Sequence, residues 1–202
     1  MPLHKAHDLT VGVRDFEWQL GYVLCLREDI TPELLDYWAW KEGGWTAGQI
    51  CQNPITKLET VMKCAKSSDY YVVASAIHSG RLPQPVVEEF ADSNNVRVRQ
   101  AVAKVSTNPA ILGKLAEDAD PEVRVAAVLN RLTDASIVDD LALKEENLDV
   151  LACVAKRLTD TKLLDAVAGK QNVKHAALSK DIMENPNSSD AAKVAAVLWN
   201  SH

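Results

Sequence analysis

The residues able to do chemistry are few in this chain, and their spacing fits no catalytic or metal-binding pattern. His4 and His7 stand three apart, a spacing that lets two imidazoles share a metal ion, but no third ligand lies near them. His78 and His175 have no acid or nucleophile at a spacing that would make either a base, so they read as surface or partly packed side chains. Cys25, Cys51, Cys64 and Cys153 form no CxxC pair and read as small buried thiols. A nucleophile elbow, a phosphate-binding glycine loop, HExxH and the dinucleotide fingerprint are all missing. The expectation is therefore no catalytic residue, no metal and no cofactor.

Recognition chemistry is better represented. Of the eleven aromatic residues, nine fall in the first 71 positions: Phe16, Trp18, Tyr22, Tyr37, Trp38, Trp40, Trp45, Tyr70 and Tyr71. Large rings bury much area and can close the end of a helical stack. Tyr37, Trp38 and Trp40 cannot all point inward from one helix, however, and an outward Trp beside Gly43-Gly44-Trp45 has the character of an interface anchor. The net charge is −6 and is spread evenly, with 7 basic and 10 acidic residues before position 71 and 15 and 18 after it. No basic lobe concentrates the positive charge that nucleic-acid binding ordinarily requires. No run approaches the roughly 18 apolar residues of a membrane span, and Met1 to Ala6 lacks a leader's apolar core, so the chain reads as soluble and cytoplasmic.

What must position these residues is a repeat. Between residues 96 and 169 the sequence resembles itself every 26 residues. Ala101, Ala127 and Cys153 correspond, as do Val102, Val128 and Val154; Asn108, Asp134 and Asp160; Ile111, Ile137 and Leu163; Leu112, Val138 and Leu164; Leu115, Leu141 and Val167; and Ala116, Ala142 and Ala168. A unit this short cannot bury its apolar face alone and must share it with neighbours. Each unit reads as a helix A, a short turn and a helix B. Asp120-Pro121 starts an A helix, and Asn108-Pro109, Asp134 and Asp160 start B helices. Upstream, Ala76, Ile77, Val86, Val87, Phe90 and Ala91 fit the columns at a spacing of 25, and Thr31-Pro32 and Asn53-Pro54 look like earlier helix starts. Downstream, Val173 to Ile182 reads as another A helix, Asn185-Pro186 as its turn and Ala191 to Trp199 as a last helix. Residues 1–70 are expected to form a helical N-terminal cap and residues 71–202 one continuous run of repeats.

The segment from Asn108 to Asn130 resembles the repeat of the leucine-rich repeat variant and HEAT-like families, with an Asn-Pro turn, an L-x-x-L-A-x-D second helix and a D-P-x-V-R entry to the next unit. Arg97 or Arg99 and Arg124 match the arginine after valine, and Val150 and Lys174 stand where later copies would carry it. The resemblance covers about residues 70–180. It implies an all-α, right-handed α-solenoid used mostly to bind other proteins; the cluster-binding cysteines of one subgroup have no counterpart here. In such solenoids B helices line the concave face. Glu88, Glu89, Asp92, Glu117, Asp118, Asp139, Asp140, Glu145 and Glu146 would then build an acidic trough, opposite a basic ridge of Arg97, Arg99, Lys104, Arg124, Arg131 and Arg157. The expected function is a non-catalytic scaffold, an adaptor or inhibitor, that holds another protein with a basic surface. Tyr37, Trp38, Trp40, Trp45, Glu88, Glu89, Asp139 and Asp140 are the expected contacts. The alternatives are nucleic-acid binding along the ridge and a HEAT-like lyase or glycosylase with His78, Glu88 and the tryptophans as its pocket.

Overall fold

A side chain that accepts from the first free backbone N–H groups opens most of the described helices, at several of them with a proline in the first turn, where no N–H is missed. The computed structural model describes Val23 and residues 30–41, 44–170 and 174–200. Among the described residues there are thirteen α-helices and no strand. In chain order they are α1 (Pro32–Lys41), α2 (Gly44–Gln52), α3 (Leu58–Cys64), α4 (Tyr70–His78), α5 (Gln84–Glu88), α6 (Val96–Val105), α7 (Pro109–Ala116), α8 (Pro121–Leu129), α9 (Ala135–Lys144), α10 (Leu148–Arg157), α11 (Thr161–Lys170), α12 (Ala176–Glu184) and α13 (Asp190–Asn200). No described helix is long and apolar enough to cross a membrane. The contacts divide into two compact units, Met1–Pro83 and Gln84–His202.

In the first unit α1 packs on α2 and α3, and α2 runs against α4. The expected end of the cap, at residue 70, thus coincides with the first residue of a helix that packs back onto α2. The α2–α4 approach is close because Gly48 has no side chain: a Cβ there would stand 2.4 Å from Cε1 of Tyr71 and 2.9 Å from Oγ of Ser75. Leu35, Ala39, Ile30 and Ile50 form the core beneath α1. Asn53-Pro54 does not start a helix, contrary to the sequence expectation. Asn53 Oδ1 accepts from the backbone of Ile55 in a turn that ends α2, and the next helix begins at Leu58.

In the second unit α6, α8, α10 and α12 are A helices, each packed on the next, and α9, α11 and α13 are B helices that do the same. These neighbour contacts fit a two-helix repeat. α7, α9 and α11 keep the 26-residue period: Asn108, Asp134 and Asp160 each precede one, and Leu112, Val138, Leu164, Leu115, Leu141, Val167, Ala116, Ala142 and Ala168 are all buried. Asp134 departs in one respect, since its side chain makes no capping bond, whereas Asn108 accepts from Ala110 and Asp160 from Lys162. The A helices do not keep the period. Their N-caps are Asn95, Asp120, Asn147 and His175, and these are 25, 27 and 28 residues apart. Val102 and Val154 therefore lie seven residues after their caps and Val128 eight, so the row expected from the sequence is offset by one place in α8. The true row at that position is Val102, Ala127, Val154 and Ile182, all buried. Loops between B and A helices absorb the difference without disturbing the packed faces.

Candidate interaction surface

α1 separates its two faces by residue type. Thr31 Oγ1 accepts from the backbone of Leu34 at its start, and the Glu33 carboxylate meets Lys57 at 2.7 Å. Leu35 and Ala39 point into the core, with Trp38 packed half-buried against it. Leu34, Tyr37 and Trp40, spaced three apart, are left 40%, 56% and 51% exposed. Three-residue steps keep side chains on one side of a helix, so these form an outward apolar stripe. Its last ring is held in place. Trp40 Nε1 donates to Asp36 Oδ1 at 3.3 Å, and the Lys63 ammonium lies 5.5 Å from the ring centroid, within cation–π range. Asp36 is itself fixed by the Thr60 hydroxyl, which donates to it at 2.8 Å. That bond is the largest influence holding the Asp36 carboxyl below its ordinary range. Tyr37 meets Trp38 edge-on with ring centroids 5.8 Å apart. Trp45 on α2 and Tyr70 on α4 are also exposed. The expected division of the aromatics is thus resolved for α1: Trp38 lies inward and Tyr37 and Trp40 outward. Phe16, Trp18, Tyr22, His4, His7, Cys25 and Gly43 lie outside the described residues.

In the second unit much of the expected acidic face is occupied by the protein itself. Arg99 forks onto Asp118 with bonds of 2.7 and 2.8 Å, and Arg124 onto Glu145 with 2.7 and 2.9 Å. Each guanidinium also donates to the backbone of the preceding loop, Arg99 to Ser93 O and Arg124 to Asp118 O and Ala119 O. Arg99, not Arg97, is thus the counterpart of Arg124. In α10 and α12 the same place, four residues after the cap, holds buried Leu151 and Ser179, so neither Val150 nor Lys174 continues the series. Asp118 is pulled below its ordinary pKa chiefly by Arg99. Burial pushes Glu145 up, but Arg124 and the backbone N–H groups of Asn147 and Glu146 outweigh it, and the net shift is downward. Asp92 pairs with Lys114, and Glu117 with Lys144 at 2.6 Å. Of the acids expected to meet a partner, Glu89 and Asp140 are exposed and Glu88 and Asp139 half-buried.

The basic ridge loses the same ground. Arg99 and Arg124 are in the ion pairs above, and Arg157 is turned onto carbonyls at the end of α8, donating to Asn130 O at 3.0 Å and Thr133 O at 2.9 Å. Only Arg97, Lys104 and Arg131 of the six ridge residues stay exposed.

A set of structural residues escaped the sequence reading. Helix ends leave carbonyls without an internal donor. Here the next repeat supplies one. Asn130 Nδ2 donates to Ala103 O and Ser106 O, both at 2.9 Å, and Asn185 Nδ2 to Ala155 O and Leu158 O at 2.7 and 2.9 Å. In the first unit Arg81 reaches Asn53 O and Thr56 O in the manner of Arg157. The available signal was the recurrence Asn53-x-x-Thr56 and Asn130-x-x-Thr133, whose threonine hydroxyls donate to Ile50 O and Ala127 O.

Of the remaining chemical candidates, His175, Cys51 and Cys64 have structural partners. His175 caps α12: Nδ1 accepts from the Leu178 backbone, which leaves the proton on Nε2, 3.2 Å from Asp149. Cys51 and Cys64 are buried beside one another, and the hydrogen bond with Cys64, together with burial, pushes the Cys51 thiol up. Burial likewise pushes the half-buried Cys153 thiol up. His78 ends α4 and Glu88 ends α5. Among the described residues no group of three or more His, Cys, Asp or Glu is placed to hold a metal ion. Against models of protein families, characterised proteins and solved structures, the chain matches none.

Proposed function

We propose that this chain is a non-catalytic protein-binding scaffold, an adaptor or an inhibitor acting in the cytoplasm, built as a right-handed α-solenoid of two-helix repeats with an aromatic-rich helical cap. The observation that carries the reading is the outward stripe of Leu34, Tyr37 and Trp40 on α1, with Trp40 held by Asp36 and faced by Lys63. An exposed aromatic ring whose orientation is already fixed loses little freedom on binding, which is what interface anchors require. Neighbour-to-neighbour packing of the A helices and of α9, α11 and α13 supports the solenoid. Glu89 and Asp140 add a polar contribution suited to a basic partner, which charge complementarity would steer rather than hold.

The test compares proteins recovered from the native host on immobilised wild type, Tyr37→Ala/Trp40→Ala and Asp139→Lys/Asp140→Lys, each first shown by circular dichroism to be folded. The aromatic double variant is expected to lose a wild-type partner at least tenfold, and the charge variant to weaken it mainly at low salt. If the aromatic variant folds and retains every wild-type partner, the reading is wrong.

A further inference from the structure

Two thiols lie inside the first unit with their sulfurs against each other. Cys51, one residue before the end of α2, is 0% exposed, and Cys64, the last residue of α3, is 1% exposed. The turn between the two helices is tied from both sides. The Thr56 hydroxyl donates to Ile50 O at 2.6 Å, and Arg81 donates to Asn53 O at 3.3 Å and to Thr56 O. With α2 packed on α3, these bonds keep the sulfurs within hydrogen-bond reach. Sulfurs already in contact need little further approach to bond.

We propose that Cys51 and Cys64 are a redox-active pair that closes to an intramolecular disulfide, with oxidised glutathione, a small disulfide, taking the electrons. The helix that opens to admit it is α3. It has seven residues and no side-chain cap at Lys57, and a helix that short has little stability of its own. Fraying of its last turn brings Cys64 to solvent, while Cys51 stays within α2, against which α4 packs. The polarity of the pair points the same way. Cys51 donates to Cys64, and that bond holds the Cys64 thiol below its ordinary range although burial and Asp36 push it up.

Cys64 is therefore the attacking sulfur. Its thiolate attacks one sulfur of the glutathione disulfide and expels the first glutathione. Cys51 then attacks the Cys64 sulfur of this mixed disulfide and expels the second. Two electrons pass to glutathione, and the two thiol protons end on the two glutathione molecules released. The bridge closes a loop of 14 residues and suppresses the opening that admitted the oxidant. Because α3 carries Thr60 and Lys63, which hold Asp36 and face Trp40, closure also firms the support beneath the exposed ring.

Cys25→Ser/Cys153→Ala keeps only this pair of cysteines and tests the proposal in the full chain. With oxidised glutathione at neutral pH it loses both thiols, falls in mass by about 2 Da and yields a peptide joining Cys51 to Cys64; dithiothreitol restores both thiols. Amide exchange over residues 58–64 slows at least about tenfold in the bridged form. Adding Cys51→Ala stops the reaction at one glutathione on Cys64, whereas adding Cys64→Ala leaves Cys51 unmodified. The same joined peptide from wild type keeps the test independent of whether the variants fold. Thiols that persist, a product carrying two glutathiones, cross-links between chains, or unchanged exchange over 58–64 overturns the proposal. Modification of Cys51 in the Cys64→Ala variant overturns the order of attack.

Discussion

Replacing Arg124 by alanine removes the most connected charge in the second unit. Its guanidinium makes two bonds to Glu145 and two to the carbonyls of Asp118 and Ala119, at 2.7 to 3.1 Å. Glu145 is 7% exposed, so water cannot replace the lost donor without opening the loop. The carboxylate would retain the N–H groups of Glu146 and Asn147 at 3.0 and 2.8 Å, which softens the loss. Removing one partner of a buried pair costs about 3–5 kcal/mol, and the surviving bonds place this case at the low end, about 3 kcal/mol. For a chain of this size that corresponds to a fall of about 6–12 °C in Tm. Arg124→Ala/Glu145→Gln, which leaves no buried charge, should recover about half of the loss. Thermal and urea unfolding followed by circular dichroism read both. An Arg124→Ala variant that melts within about 1 °C of wild type, or a double variant no better than the single, would refute the assignment of Arg124 as a clamp between repeats.

Gly48→Ala drives a methyl group into the Tyr71 ring, and overpacking of about 1–3 kcal/mol should exceed the gain in helix propensity of about 1 kcal/mol. Tyr71→Leu should relieve it, and an Ala variant as stable as wild type would contradict the close α2–α4 approach. Acid should weaken the second unit in a defined direction. Asp118 and Glu145 have folded pKa values below their ordinary 3.8 and 4.5, so their contribution is complete above the ordinary range and is lost as pH falls through the lowered values. Urea unfolding at neutral and acid pH should show a smaller pH dependence in Glu145→Gln than in wild type, and an unchanged slope would count against the ion pair. Asn185→Ala leaves Ala155 O and Leu158 O without their donor and should cost about 1–3 kcal/mol, measured by the same unfolding curves.

The B helices were legible because packing alone decides their residues. Leu112, Leu115 and Ala116 recur three and four places apart and need no long-range partner to be recognised. The A helices were legible as helices but not in register, since the turns before them vary in length and only the caps Asn95, Asp120, Asn147 and His175 mark the true alignment. Charges were read least well. Asp118, Glu145, Arg99, Arg124 and Arg157 look like surface residues in a linear sequence, and only a fold that brings residues about 20 to 30 apart into contact shows that they tie one repeat to the next. The aromatic stripe was half legible: helical spacing requires one of Tyr37, Trp38 and Trp40 to face out, but it does not say that Asp36 and Lys63 hold Trp40 there.

Methyl–methyl nuclear Overhauser effects in solution test the stacking of like helices most directly. The account predicts cross-peaks from α6 to α8, α8 to α10 and α10 to α12, and separately from α9 to α11 and α11 to α13, with Val102, Ala127, Val154 and Ile182 among the contributing methyls. Cross-peaks confined to single helix pairs, or linking α6 to α12 without α8 and α10 between them, would contradict it.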